Sequence, residues 1–216
     1  AQNACHTNKP YPTYTLESAP AENKQVLLHN DAIFYTGRID LEKIQKTVAQ
    51  LTMLDDKKSR QDNPKNHRII LNSPGGYVFG YEDFSNHLKM LKHPTDIIAS
   101  GMVASAAAMM TATSTTGKRM ATPFTQIMLH QSSSGYTDLD LFGDRLNNTV
   151  DKSMKMNQDF FKVISEKTGR PLEEVRQDFT HDYFVNSLEG LFYGTKGLID
   201  AIIVGPNKII TRDDVK

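Results

Sequence analysis

Two side chains and one turn in this sequence have the chemistry to share a reaction: the hydroxyl of Ser105, the imidazole of His130 and the backbone amides of the SPGG turn, residues 73–76. Ser105 lies in GMVASAAAMMTAT (101–113), where a strand pattern gives way to a helix pattern, and Ala104, Ala106 and Ala107 flank it. Unpaired N–H groups and the partial positive charge at a helix start favour a developing anion, and small neighbours admit a substrate backbone. The same residues also describe an N-cap serine in a tightly packed segment. In LNSPGGYV a glycine pair follows a buried strand, which is ordinarily a turn. Glycine backbone can equally present N–H groups to an oxyanion without steric obstruction. In IMLHQ, His130 closes an apolar strand. It is either a satisfied core or surface histidine, or the base that a serine nucleophile needs within hydrogen-bond reach.

The elements that must position these groups alternate in type. VLLHNDAIFYTGRI (26–39) reads as one or two short strands, and 40–54 as a helix with Leu41, Ile44, Val48 and Leu51 on one face behind Asp40 as N-cap. A charged loop, 55–66, leads to the buried strand 68–73. The next helix, 81–93, carries Tyr81, Phe84, Leu88 and Leu91 on one face and stops at Pro94. A strand over 96–103 precedes the Ala/Met helix, followed by strands in KRMATP and TQIMLHQS. A long helix is expected over Asp140 to Lys167, with Phe142, Leu146, Val150, Met154, Phe161 and Ile164 as its apolar stripe, and a short helix follows Pro171. Residues 183–204 read as strand, helix and strand. Strands alternating with helices predict βαβ units and a largely parallel sheet covered by helices. One α/β domain over 26–216 is expected behind an irregular tail, 1–25, that contains Pro10, Pro12 and Pro20. Met90, Met109, Met110, Met154 and Met156 read as core or interface filler.

Composition narrows the function classes. The chain is 38% hydrophobic and 23% charged, with 25 basic and 25 acidic residues, the profile of an ordinary globular domain. No basic block suits a dedicated nucleic-acid binder, and no window reaches the ~18 apolar residues of a membrane span. Cys5 is the single cysteine, so neither an intrachain disulfide nor a cysteine zinc cluster is expected. His6, His29, His67, His87, His93 and His181 show no HExxH or other compact ligand spacing, and no catalytic metal is expected.

Taken in order, LNSPGG, GMVAS, GKRMATP and IMLHQ resemble the signature series of the proteolytic subunit of the Clp protease, the ClpP family, with separations that agree without gaps from Gly76 to His130. The likeness continues through HDYFVNSLEGLFYGTKGLIDAII and covers roughly Ile33 to Val204. It implies a ClpP/crotonase-like α/β fold of stacked βαβ units with a protruding handle helix. It also implies a serine endopeptidase, with Ser105 as nucleophile, His130 as base and then acid, and Asp182 orienting the imidazole. On spacing alone Asp182 would yield to Asp178 or Asp200. The resemblance further implies oxyanion donors in the amides of Gly76 and Ala106, and an extended substrate strand alongside Gly75, Gly76, Tyr77 and Val78. Peptides or unfolded proteins would be the substrates, inside stacked, possibly heptameric, rings of this chain. The chain would hold no cofactor, ATP being used only by a partner AAA+ unfoldase. The implied location is cytoplasmic; the N-terminal residues are equally compatible with an exported mature form.

The sequence departs from the family in several places. Ala106-Ala107-Ala108 stands where Met-Gly-Ala is usual, and His181 replaces the basic residue that ties two rings together. A histidine there would make the contact pH-sensitive, since imidazole charge changes near pH ~6.5. Residues 132–148 lack the usual Gly- and Gln-containing handle strand, and 1–25 do not match the axial-pore loop. These changes predict rings held by the long Asp140–Lys167 helix, with altered or weaker stacking. Two other readings stay open here: a signal-peptide-peptidase-like Ser–Lys protease using Lys89 or Lys118, and a catalytically silent subunit of a mixed ring. A histidine base gives an activity limb near pH ~6–7, which separates the first of these from a Ser–His enzyme.

Overall fold

A computed structural model describes residues 32–132, 144–206 and 208–215. The first strand, β1 (Ala32–Thr36), pairs parallel with β2 (His67–Ser73), and β2 with β3 (Thr95–Ala104). The first half of β3 continues the sheet through β4 (Arg119–Ala121) to β7 (Ala201–Gly205), all parallel. The second half turns instead to β5 (Gln126–Leu129), which pairs antiparallel with β6 (Tyr183–Asn186). The strand changes partner at Gly101, whose φ of 73° is open to glycine at little cost. The expected parallel α/β sheet is therefore present, but it forks, and the fork carries the end of β3 away from the main layer. A final hairpin strand, β8 (Lys208–Thr211), adds antiparallel to β7. The sequence reading did not include it, although the Gly205-Pro206 break between two aliphatic runs is a turn signal.

Helix α1 (Leu41–Lys58) begins where expected: the Asp40 carboxylate accepts the Lys43 N–H at 2.8 Å. It runs through the charged segment that the sequence reading assigned to a loop, so that Asp55 and Lys58 are buried helical residues. Ile44, Val48 and Leu51 face the core while Leu41 is exposed. Helix α2 (Val78–Met90) starts three residues before the expected position, in the wake of the glycine turn, and buries Tyr81, Phe84 and Leu88. Each such aliphatic or aromatic side chain taken from water contributes about 1.5–3 kcal/mol.

The Ala/Met segment forms α3 (Ala106–Met109) and a π-helical turn (Met110–Ser114), buried throughout. The segment packs against α2, the long helix and β3, with its alanines allowing close approach and Met109 and Met110 filling the space between. That long helix, α4 (Asp144–Thr168), places Ile164 in the core but leaves Met154 exposed; Met90 is exposed too, so neither methionine is filler within this chain. Phe142 and residues 140–143 lie outside the described residues, as does the tail. Two shorter helices, α5 (Leu172–Asp178) and α6 (Ser187–Phe192), flank β6.

Candidate active site

Ser105 follows the last residue of β3 in a backbone conformation that few non-glycine residues adopt, with φ 56° and ψ −125°. The strain is held by hydrogen bonds on both sides: its N–H donates to the Met128 carbonyl at 2.8 Å, and its own carbonyl accepts from Met109 N at 3.1 Å. Its hydroxyl does not cap α3. It points to the neighbouring strand, where Oγ lies 2.8 Å from His130 Nε2. The other imidazole nitrogen, Nδ1, is 3.3 Å from Asp182 Oδ1. Fold connectivity explains this meeting. β5 lies between β3 and β6, so its end carries His130 between the residue that leaves β3 and the one that enters β6.

The imidazole is partly shielded and Asp182 faces solvent. Both rival carboxylates are engaged elsewhere. Asp178 accepts from Arg170 Nε at 2.6 Å and from the Tyr193 hydroxyl at 2.8 Å, while Asp200 pairs with Arg119. The Arg119–Asp200 pair joins the GKR motif to the end of the segment YGTKGLID (193–200), binding β4 to the approach of β7.

Two further contacts fix the histidine loop. Gln131 N–H donates to the Phe179 carbonyl at 3.1 Å, tying the loop to the end of α5. Ser132 N–H donates to Asn157 Oδ1 of α4 at 2.6 Å. Asn157 carries no signal in sequence; a polar residue on an exposed helix face looks solvated until the helix is docked.

The glycine turn packs directly against the serine. A Cβ on Gly75 would lie 2.5 Å from the Ala104 carbonyl oxygen and 2.7 Å from Ser105 Cβ. Gly75 and Gly76 have φ of 91° and 150°. Of the four residues expected to line a substrate strand, Gly75 gives its carbonyl to Ile39 N and its N–H to Ser73 Oγ, and Tyr77 gives its N–H to the Ile39 carbonyl. Val78 opens α2 rather than extending the strand. Among the described residues the Gly76 and Ala106 amides meet no acceptor, and both residues line a cavity of ≈ 200 Å³ with Ser105 and His130. Val78, Tyr81, Met109, Met128 and Phe160 give one part of its wall apolar side chains, and Ser105, His130 and Ser132 make the rest polar. The sequence reading put Tyr81 on the apolar face of a helix and took Met109 as core or interface filler, and the wall they form was not anticipated. Neither Lys89 nor Lys118 lines this cavity.

The central, largely parallel sheet with its helices is that of the ClpP/crotonase-like class of α/β proteins. The family model described as Clp protease matches residues 17–206, and the chain belongs to that family. Its members are proteases, and a peptidase is what this membership indicates. Among the described residues no helix is long and apolar enough to cross a membrane.

Proposed function

We propose that this chain is a serine endopeptidase. The reading is carried by one observation: Ser105 Oγ stands 2.8 Å from His130 Nε2 on a strained turn whose hydroxyl makes no cap. In this reading His130 accepts the hydroxyl proton as Oγ attacks the peptide carbonyl, giving a tetrahedral intermediate. Asp182 steadies the imidazolium. The amides of Gly76 and Ala106 receive the oxyanion; one such donor is typically worth ~10²–10³ in rate. His130 then returns the proton to the leaving amine, and water repeats the sequence on the acyl-enzyme.

Substrate enters as an extended peptide beside Gly76, with an apolar side chain directed toward Met109, Met128 and Phe160. Oligomeric rings of this chain, cytoplasmic and fed by an ATP-driven unfoldase, belong to the same proposal, and membership of the Clp protease family is what supports them. A fluorophosphonate probe tests the chemistry. The expected result is a covalent adduct on Ser105, with Ser105→Ala abolishing both the adduct and peptide turnover, a loss of ~10⁶ as in other triads. Unchanged turnover in Ser105→Ala would remove the reading, and an unlabelled, inactive wild-type chain would favour the silent-subunit alternative.

A further inference from the structure

At the end of the sheet opposite Ser105, three side chains that the peptidase reading leaves unused converge. Asp55 comes from the last turn of α1, His67 opens β2, and His93 lies in the connection between α2 and β3. Asp55 Oδ1 is 3.0 Å from His67 Nε2 and 2.8 Å from His93 Nδ1. One ligand atom from each residue falls within 4.8 Å of the others. The two rings stand 6.1 Å apart at 81°, so their nitrogens reach the carboxylate from different directions.

The geometry points to a binding site for a divalent transition metal of the zinc type, ligated by Asp55, His67 and His93, with water in the remaining position. Two imidazoles and a carboxylate are a ligand set such ions accept. Around a tetrahedral ion with bonds of about 2.0–2.1 Å, neighbouring ligand atoms sit about 3.3 Å apart. The two contacts to Asp55 need to open by only a few tenths of an ångström to reach that spacing.

The hydrogen bonding at Asp55 is itself uneven. A carboxylate oxygen has about two lone-pair sites. Oδ1 faces three nitrogens: His67 Nε2, His93 Nδ1 and, at 3.0 Å, the His93 amide. Among the described residues Oδ2 accepts only the Lys92 amide, at 3.0 Å. One cation between the two imidazoles and Oδ1 relieves this crowding, and the amides of Lys92 and His93 then serve to orient the ligating carboxylate.

The partly exposed edge of His93 gives an ion its entry path.

Two neighbours limit the affinity. The Lys58 ammonium, held by the carbonyls of Lys65 and Asn66, acts on His67 as a like charge toward any cation. Among the described residues His67 Nδ1 is buried without a partner, so a ring bound through Nε2 leaves an N–H unpaired there. Micromolar binding is the expectation, weaker than a structural zinc finger. A bound ion would fasten the end of α1 to the starts of β2 and β3 without touching the cleft.

The test uses the full chain after chelator treatment, titrated with zinc chloride by calorimetry and with cobalt(II) by visible absorption. One ion per chain, a tetrahedral cobalt spectrum and an affinity reduced about 100-fold or more in His93→Ala are expected. His130→Ala should keep the stoichiometry, separating this site from the cleft. X-ray absorption on the zinc-loaded wild type should report two imidazoles, and it decides the matter if His93→Ala does not fold. No saturable binding, wild-type affinity in a folded His93→Ala chain, or fewer than two imidazoles would overturn the proposal.

Discussion

Asn157 grips Ser132 by both backbone groups: Oδ1 accepts the Ser132 N–H at 2.6 Å, and Nδ2 donates to the Ser132 carbonyl at 3.4 Å. The long helix thereby holds the residue two positions after His130. Misplacing a reacting group by about 1 Å can cost ~10²-fold in rate. Asn157→Ala should lower kcat about 10-fold with little change in KM and slow probe labelling of Ser105 in parallel. Asn157→Asp keeps the acceptor for the Ser132 N–H and should recover part of the loss. Steady-state kinetics with a short peptide checks both.

Asp182 is solvent-facing, and its contact with His130 is the longer of the two at the imidazole. Its replacement should therefore be damaging without being equal to loss of the nucleophile. Asp182→Asn is expected to reduce kcat by ~10²–10⁴, with the upper end set by triads whose aspartate is fully buried. Asp178→Asn should act differently: it removes the carboxylate that Arg170 shares with Tyr193, leaving Arg170 only Glu174 as an ion-pair partner among the described residues, and its effect should register first in the melting temperature.

Gly75 tolerates no side chain. A methyl group there meets the Ala104 carbonyl oxygen and Ser105 Cβ at distances that backbone must move to relieve, and its φ of 91° is strained for alanine. Gly75→Ala should cost at least ~10²-fold in kcat/KM, as expected when an oxyanion donor is displaced. Circular dichroism should show the fold retained, because the turn lies at the rim of the sheet.

Alkaline pH should destabilise the chain through its buried phenols. Burial is the leading cause of raised values at Tyr35, Tyr81, Tyr183 and Tyr193, and Tyr35 is pushed up to about 12 from 10.0. The folded state thus holds phenolic protons that the unfolded chain releases near pH 10.0. This stabilisation is fully present below the unfolded value and is lost as pH climbs toward about 12. Urea melts at about pH 9 and about pH 11 should show the decline, and Tyr35→Phe should lessen it.

Much of the architecture is legible along the chain. Asp40 ahead of Leu41, Ile44, Val48 and Leu51 places α1, and strand–helix alternation yields the parallel sheet, because capping and hydrophobic period act between residues a few positions apart. The same locality explains the errors. A charged run such as 55–58 looks solvated until a second element covers it, and β8 depends on β7 for its hydrogen bonds.

Within the site, the small residues around Ser105 and the glycine pair before Tyr77 are explicit in sequence, since each is dictated by its own backbone geometry. Which aspartate faces His130 was not. Asp178, Asp182 and Asp200 are alike as residues, and only the crossing of β5 between β3 and β6 brings one of them to the imidazole while arginines take the other two. The hold of Asn157 on Ser132 and the convergence of His67 and His93 on Asp55 have the same origin. These contacts join elements far apart along the chain, and packing of the folded sheet, rather than any local preference, sets their distances.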